Sequence, residues 1–185
     1  SSGQTTGSIY NLTAGLYSLD AIDSNGCVKT EFITITEPLP ILVIETINNV
    51  SCDGGTDGSI SLSITGGFTD YTINAAGYSQ TLVGGISSFT TPSLLPSGIY
   101  PYTITDSNNC IYFDSINITS PSPISVSETI NDVSCFGFND GSVNLSISGG
   151  ISTYTEDWGI NNSSSLSLGT YNYTVTDNNG CTYTN

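Results

Sequence analysis

Apolar residues in this chain recur at every second position over short runs. Ile60, Leu62 and Ile64 alternate with serines, Val143, Leu145 and Ile147 do the same with Asn144 and Ser146, and Tyr100, Tyr102 and Ile104 alternate with Pro101, Thr103 and Thr105. A period of two lays one set of side chains on each face of a strand, and β-branched and aromatic residues suit a half-buried pleated surface. The runs are bounded by Gly, Pro, Asn and Asp, which predicts strands joined by tight turns and no helices. Asn25-Gly26 and Asn179-Gly180 supply the positive φ that such turns require, and Asn108-Asn109 supplies it through Asn.

These runs repeat. A Gly-x-Tyr strand entry followed by an Asp-led turn and a cysteine occurs at Gly15, Tyr17, Asp23 and Cys27, at Gly98, Tyr100, Asp106 and Cys110, and at Gly169, Tyr171, Asp177 and Cys181. Gly98 follows Gly15 by 83 residues, as Pro121 follows Pro38 and Cys135 follows Cys52, whereas Gly169 follows Gly98 by 71. The shortening falls between Gly67 and Leu94, where the middle copy carries Thr81 to Pro92, and it marks a surface loop or an optional edge strand. Pro38-Leu39-Pro40 and Pro121-Ser122-Pro123 punctuate the chain as semi-rigid linkers. Three units follow: 1–37 is the C-terminal half of a first repeat, 38–120 a complete second, and 121–185 a third that lacks its last strand. Six or seven short strands per unit predict an all-β chain of tandem Ig-like antiparallel β-sandwich repeats. The Leu95-x-x-Gly98-x-Tyr100 entry resembles the tyrosine-bearing corner of such folds, and Trp158 is the largest apolar group available to a core.

Composition narrows the chemistry. Over 185 residues the net charge is −15, Lys29 is the only base and histidine is absent. Such a chain is repelled by phosphate backbones and anionic lipid, so neither nucleic-acid binding nor membrane insertion is expected. Charged residues are nevertheless only 9% of the total, which gives the hydroxyl-rich surface of an exported β protein. Ser1, Ser2, Gly3 and Gln4 have neither the basic segment nor the apolar core of a signal peptide, so an export signal is expected elsewhere. Without an imidazole base and with a single lysine, the repeats are not expected to be an enzyme, and no cofactor is expected.

Five cysteines without histidine point to disulfides in an oxidising compartment, since no Cys-x-x-Cys occurs for a zinc site. Two pairings fit the period. Within repeats, Cys52 joins Cys110 and Cys135 joins Cys181, leaving Cys27 unpaired. Across linkers, Cys27 joins Cys52 and Cys110 joins Cys135. Strand parity separates them, because an even number of strands puts the two cysteines of a repeat at the same end. The short last copy has room for one strand between Trp158 and Gly169, which favours six strands and the within-repeat scheme. Such a bridge closes a loop of about 60 residues, worth about 3 to 4 kcal/mol.

Taken together, Cys52-x-Gly54-x-x-Asp57-Gly58-Ser59-Ile60, Gly66-Gly67, Tyr71, Gly98-x-Tyr100 and Asp106-x-x-x-Cys110 resemble the SprB-type repeat of Bacteroidota gliding-motility surface adhesins. The last copy is similar, with Cys135-x-Gly137-x-x-Asp140-Gly141-Ser142-Val143, Gly149-Gly150, Tyr154, Trp158 and Asp177-x-x-Gly180-Cys181. Asn109 stands where the family pattern has Gly, and the middle copy has no counterpart of Trp158. The resemblance implies a structural and adhesive stalk segment of a long filamentous adhesin, exported by type IX secretion and associated with the outer membrane at the cell surface. Its implied partners are an extracellular surface or polysaccharide, neighbouring repeats of the same chain, and motility and secretion machinery outside the segment. Asp114-Ser115-Ile116 looks like the short O-glycosylation motif of that phylum, which makes Ser115 a candidate acceptor.

Two binding chemistries compete with a purely structural role. Asp57 and Asp140 recur in glycine-rich turns, where hard cations such as calcium find oxygen ligands, although an Asp that bonds its own backbone explains the same pattern. Tyr78, Phe89, Phe136 and Phe138 are aromatic groups that, if exposed, stack on sugar faces in a carbohydrate-binding module.

Overall fold

The structure is a computed structural model that describes residues 7–185, so the Ser1 to Gln4 segment lies outside the described residues. Every regular element among them is a strand. The first unit is a lone hairpin, β1 (Gly15–Ile22) and β2 (Val28–Ile35), paired antiparallel from Gly15↔Ile35 to Ile22↔Val28.

The second unit contains β3 (Leu42–Asn48), β4 (Ser59–Thr65), β5 (Tyr71–Ala75), β6 (Tyr78–Leu82), β7 (Ser88–Thr90), β8 (Gly98–Thr105) and β9 (Ile111–Ile118). They form two antiparallel sheets, ordered β3-β4-β7 and β6-β5-β8-β9. The alternation read from sequence sets which side chains meet between them. Ile60, Leu62 and Ile64 of one sheet pack in a single buried cluster with Ile73, Tyr102, Ile104, Ile116 and Ile118 of the other. Tyr102 crosses the sandwich and donates its hydroxyl to Glu45 Oε1 on β3 at 2.7 Å. Burial and this carboxylate together raise the Tyr102 phenol far above its ordinary range.

The third unit repeats this plan in smaller form, with β10 (Ser125–Asn131), β11 (Ser142–Ser148), β12 (Thr155–Asp157), β13 (Thr174–Thr176) and β14 (Thr182–Thr184). Sheet β10-β11 and sheet β12-β13-β14 enclose Trp158, Tyr173 and Val175, with the Trp158 and Tyr173 rings 4.8 Å apart. Tyr173 donates to Glu128 Oε1 at 2.6 Å, the counterpart of the Tyr102–Glu45 bond. The strands without counterparts here are β6 and β7, each at a sheet edge in the second unit. The 12-residue difference thus removes an outward strand and its return.

All three strand entries carry the tyrosine corner. Tyr17, Tyr100 and Tyr171 donate their hydroxyls to the carbonyl four residues upstream, on Thr13, Pro96 and Ser167, at 2.7, 2.8 and 3.0 Å. Among the described residues of the first unit no second sheet faces the hairpin. Leu19 and Ile33 are consequently half exposed where Tyr102 and Ile116 are buried in the second unit.

Strand count also decides the ends. The complete unit has seven strands and the third has five, both odd, so the first and second cysteines of a unit lie at opposite ends of its sandwich. Val50 N–H, beside Cys52, bonds Thr119 O at one end, while Phe68 N–H bonds the Asp106 carboxylate, four residues before Cys110, at the other. The six-strand expectation is corrected in both units: β6 and β7 make seven in the second, and no strand forms between Trp158 and Gly169 among the described residues, which leaves five in the third.

Candidate functional site at the junction between units

The second and third units each present one cysteine at each end, on a loop shaped by an aspartate. At the first end, Asp57 Oδ1 accepts Ser51 N–H at 3.0 Å and Gly55 N–H donates to Cys52 O at 3.0 Å. The third unit copies the loop with Asp140 accepting Ser134 N–H at 3.0 Å and Phe138 N–H donating to Cys135 O at 3.1 Å. The hydroxyl and amide of Ser51 hold the Asp57 carboxyl below its ordinary value, and Ser134 does the same for Asp140. These carboxylates therefore shape the cysteine loops. Among the described residues no group of three or more His, Cys, Asp or Glu gathers in the manner of a metal site.

At the second end, Asp23, Asp106 and Asp177 each accept two backbone N–H groups on Oδ1. The donors are Asn25 and Cys27, Asn108 and Cys110, and Asn179 and Cys181, all at 2.8–2.9 Å. In the complete and third units the other oxygen reaches the opposite sheet, where Asp106 Oδ2 accepts Phe68 N–H at 2.9 Å and Asp177 Oδ2 accepts Ile151 N–H at 2.8 Å. The backbone N–H of Phe68, with those of Cys110 and Asn108, keeps Asp106 ionised well below the usual carboxylate range, and Ile151 leads the same effect at Asp177. Next to these carboxylates lie the glycine pairs that grip the linkers. Gly67 N–H donates to Leu39 O at 2.7 Å and Gly150 N–H to Ser122 O at 2.8 Å. Gly66 and Gly149 both hold φ at 76°, and a Cβ on either would collide with the carbonyl of Pro40 or Pro123.

The two kinds of end meet between the second and third units. A disulfide joins Cys52 to Cys181 with their Cα atoms 5.6 Å apart. Beside it, Asn179 Nδ2 donates to Ser51 O at 3.1 Å. Thr119, the linker through Pro123, and Gly150 close the other side, so this junction is held at two points. The pairing corrects both sequence schemes: Cys52 is not bonded to Cys110 or Cys27, nor Cys181 to Cys135, and Cys27, Cys110 and Cys135 are free and exposed. Within a unit the cysteines are separated by the whole sandwich, whereas stacking brings the first end of one unit onto the second end of the next. The Asn at positions 25, 108 and 179, which recurs two residues before each second cysteine, was the unread signal for this contact.

The remaining candidates do not converge. Phe89 is core, 4% exposed, while Tyr78 sits on edge strand β6 and Phe136 and Phe138 lie on the Cys135 loop, so the four aromatics form no common platform. Ser115 is exposed on β9, its N–H bonded to Asp114 Oδ1 at 2.8 Å, accessible to a modifying group. A cavity of about 400 Å³ lies beside Trp158, Leu166 and Gly141.

An all-β chain whose sandwiches repeat, stack end to end and share a disulfide across the joint defines an extended tandem-repeat protein. The family model of the SprB repeat matches the chain at two places, residues 44–77 and 127–158. Those segments take in Cys52, Asp57, Gly66 and Tyr71 and their counterparts Cys135, Asp140, Gly149 and Tyr154, and they end before the Asp106 and Asp177 turns. The repeat is one of cell-surface proteins, which makes this a repeat segment of surface-adhesin type. No curated protein matches the chain. No helix among the described residues is long and apolar enough to cross a membrane.

Proposed function

We propose that the segment is a stalk of a long filamentous adhesin, serving reach and toughness and not catalysis, in a protein that is exported by type IX secretion and acts in gliding motility. The observation that carries the reading is the junction: a proline linker gripped by Gly149 and Gly150 on one side and the Cys52–Cys181 bridge on the other resist bending and separation of neighbouring units. Contact with an extracellular surface or polysaccharide is then made elsewhere in the adhesin, and the outer-membrane machinery moves the stalk as a whole. A stalk requires no ligand cleft, in keeping with aspartates that are spent on turns.

The test replaces this segment in the full-length exported adhesin with an unrelated pair of β-sandwiches of equal length. Surface display and adhesion are expected to persist. Loss of adhesion by a protein still displayed would place the ligand site within the segment and overturn the stalk reading.

A further inference from the structure

The Cys52–Cys181 junction has one half-interface at each end of a unit, and three such halves stand open, at Cys135, Cys110 and Cys27. At one end of the third unit, Ser134 and Cys135 occupy the places of Ser51 and Cys52, on a loop set by the same aspartate bond at the same 3.0 Å. At the far end of the second unit, Asn108 and Cys110 occupy the places of Asn179 and Cys181, on a turn held by the same pair of N–H bonds to Asp106. Both thiols are exposed. Next to Cys135, Phe136 is 99% exposed and Phe138 53% exposed, on the loop whose counterpart in the second unit, Asp53, lines the cleft at the existing junction with Pro121 and Cys181. Bare aromatic side chains at that place mark a surface that a partner covers. Because the two halves differ and lie at opposite ends, the contact is head to tail and propagates without closing.

We propose that the partner of each open half is a further copy of this repeat, so that one rule runs along the array: the first cysteine of every repeat bonds the second cysteine of the repeat after it. Cys135 then bonds the second cysteine of a following repeat, Cys110 the first cysteine of the repeat before, and Cys27 the first cysteine of one earlier still. Each bridge forms by exchange with a disulfide oxidant. The new S–S bond is made as the oxidant's own S–S bond breaks, two electrons pass to the oxidant, and the two protein thiol protons end on its released thiols. Phe136 and Phe138 are buried in the joint that follows, and every joint carries one covalent bridge beside its linker.

This rests on the tandem stalk reading, and the experiment separates the two. The full-length exported adhesin is alkylated without reduction, digested, and its cross-linked peptides are sequenced by mass spectrometry. The expected result is a Cys52–Cys181 peptide together with Cys110 linked to a preceding repeat and Cys135 linked to a following one. Cys110→Ser and Cys135→Ser variants, which change only exposed positions, are each expected to release one alkylatable thiol in the neighbouring repeat and to leave Cys52–Cys181 intact. Alkylated Cys110 and Cys135 beside an intact Cys52–Cys181 bridge would overturn the rule and leave the stacked stalk standing. Cys52–Cys110 or Cys135–Cys181 peptides would overturn both.

Discussion

Replacing Cys181 by Ser removes the covalent side of the joint without touching either core. While the second unit stays folded, Thr119 remains anchored by Val50 N–H next to Cys52. An unfolded third unit is therefore a loop of about 60 residues held at neighbouring points, and the chain-entropy relation assigns its closure about 4 kcal/mol. The third unit has few other resources: four buried apolar side chains, Trp158, Leu166, Tyr173 and Val175, against fifteen in the second unit. For a domain of this size, about 4 kcal/mol corresponds to a fall in Tm of roughly 15 to 30 °C. Calorimetry of the oxidised chain and of Cys181→Ser should show the transition of the third unit falling by that amount, with reductant producing the same shift in the unsubstituted chain. Cys27→Ser, at a free and exposed thiol, serves as the control and should leave the trace unchanged. A fall of less than about 5 °C, near 1 kcal/mol, would refute the reasoning, because the unfolded unit would then not be constrained by the bridge.

Three other perturbations probe the parts around the joint. Gly149→Ala, with φ of 76° and the Pro123 carbonyl in the way, should cost about 1 to 3 kcal/mol or more by chemical denaturation, whereas Gly159→Ala, at a φ of 65° with open space around it, should cost only about 1 kcal/mol of backbone strain. Tyr100→Phe loses the hydroxyl bond to Pro96 O and should lower stability by about 1 kcal/mol without changing the denaturant slope. Stability should also fall at both pH extremes. The carboxyls of Asp106 and Asp177 lie below 3.8 when folded, so their contribution is present above that pH and is lost as pH falls through the folded values. Tyr173, pushed up from 10.0 to about 12 by burial and Glu128, contributes below pH 10 and loses that contribution as pH rises through about 12. A Tm that stays level below pH 4 would contradict the first half of this expectation.

Local rules carried most of the architecture. Two-residue alternation placed the faces of β4, β8 and β11, and the Asn-Gly and Asn-Asn turns closed the hairpins where positive φ is tolerated. The recurring Gly-x-Tyr marked a corner whose hydroxyl bond is itself local, four residues long. The length difference fell on edge strands, because an edge strand has one neighbour to lose. What sequence could not supply was anything that depends on which end of a sandwich a residue occupies. An expected six strands, one fewer than the second unit has and one more than the third, reversed the end of each second cysteine relative to the first, and the disulfide scheme followed it. The reach of Asp106 to Phe68 and of Tyr102 to Glu45 was hidden for a related reason: these bonds join sheets, and no short-range pattern encodes them. The Asp57 and Asp140 turns show the reverse case, in which a recurrent acid had a sufficient local explanation in the loop it closes.

The loss of β6 together with β7 has a consequence for how such a string is assembled. A strand that departs and one that comes back cancel in direction, so a bead can be made stouter or leaner by the pair and still face its neighbours with the same two poles. Removal of either strand by itself would turn the Asp–Cys turn toward the wrong pole, where it could no longer reach the cysteine waiting on the adjoining bead.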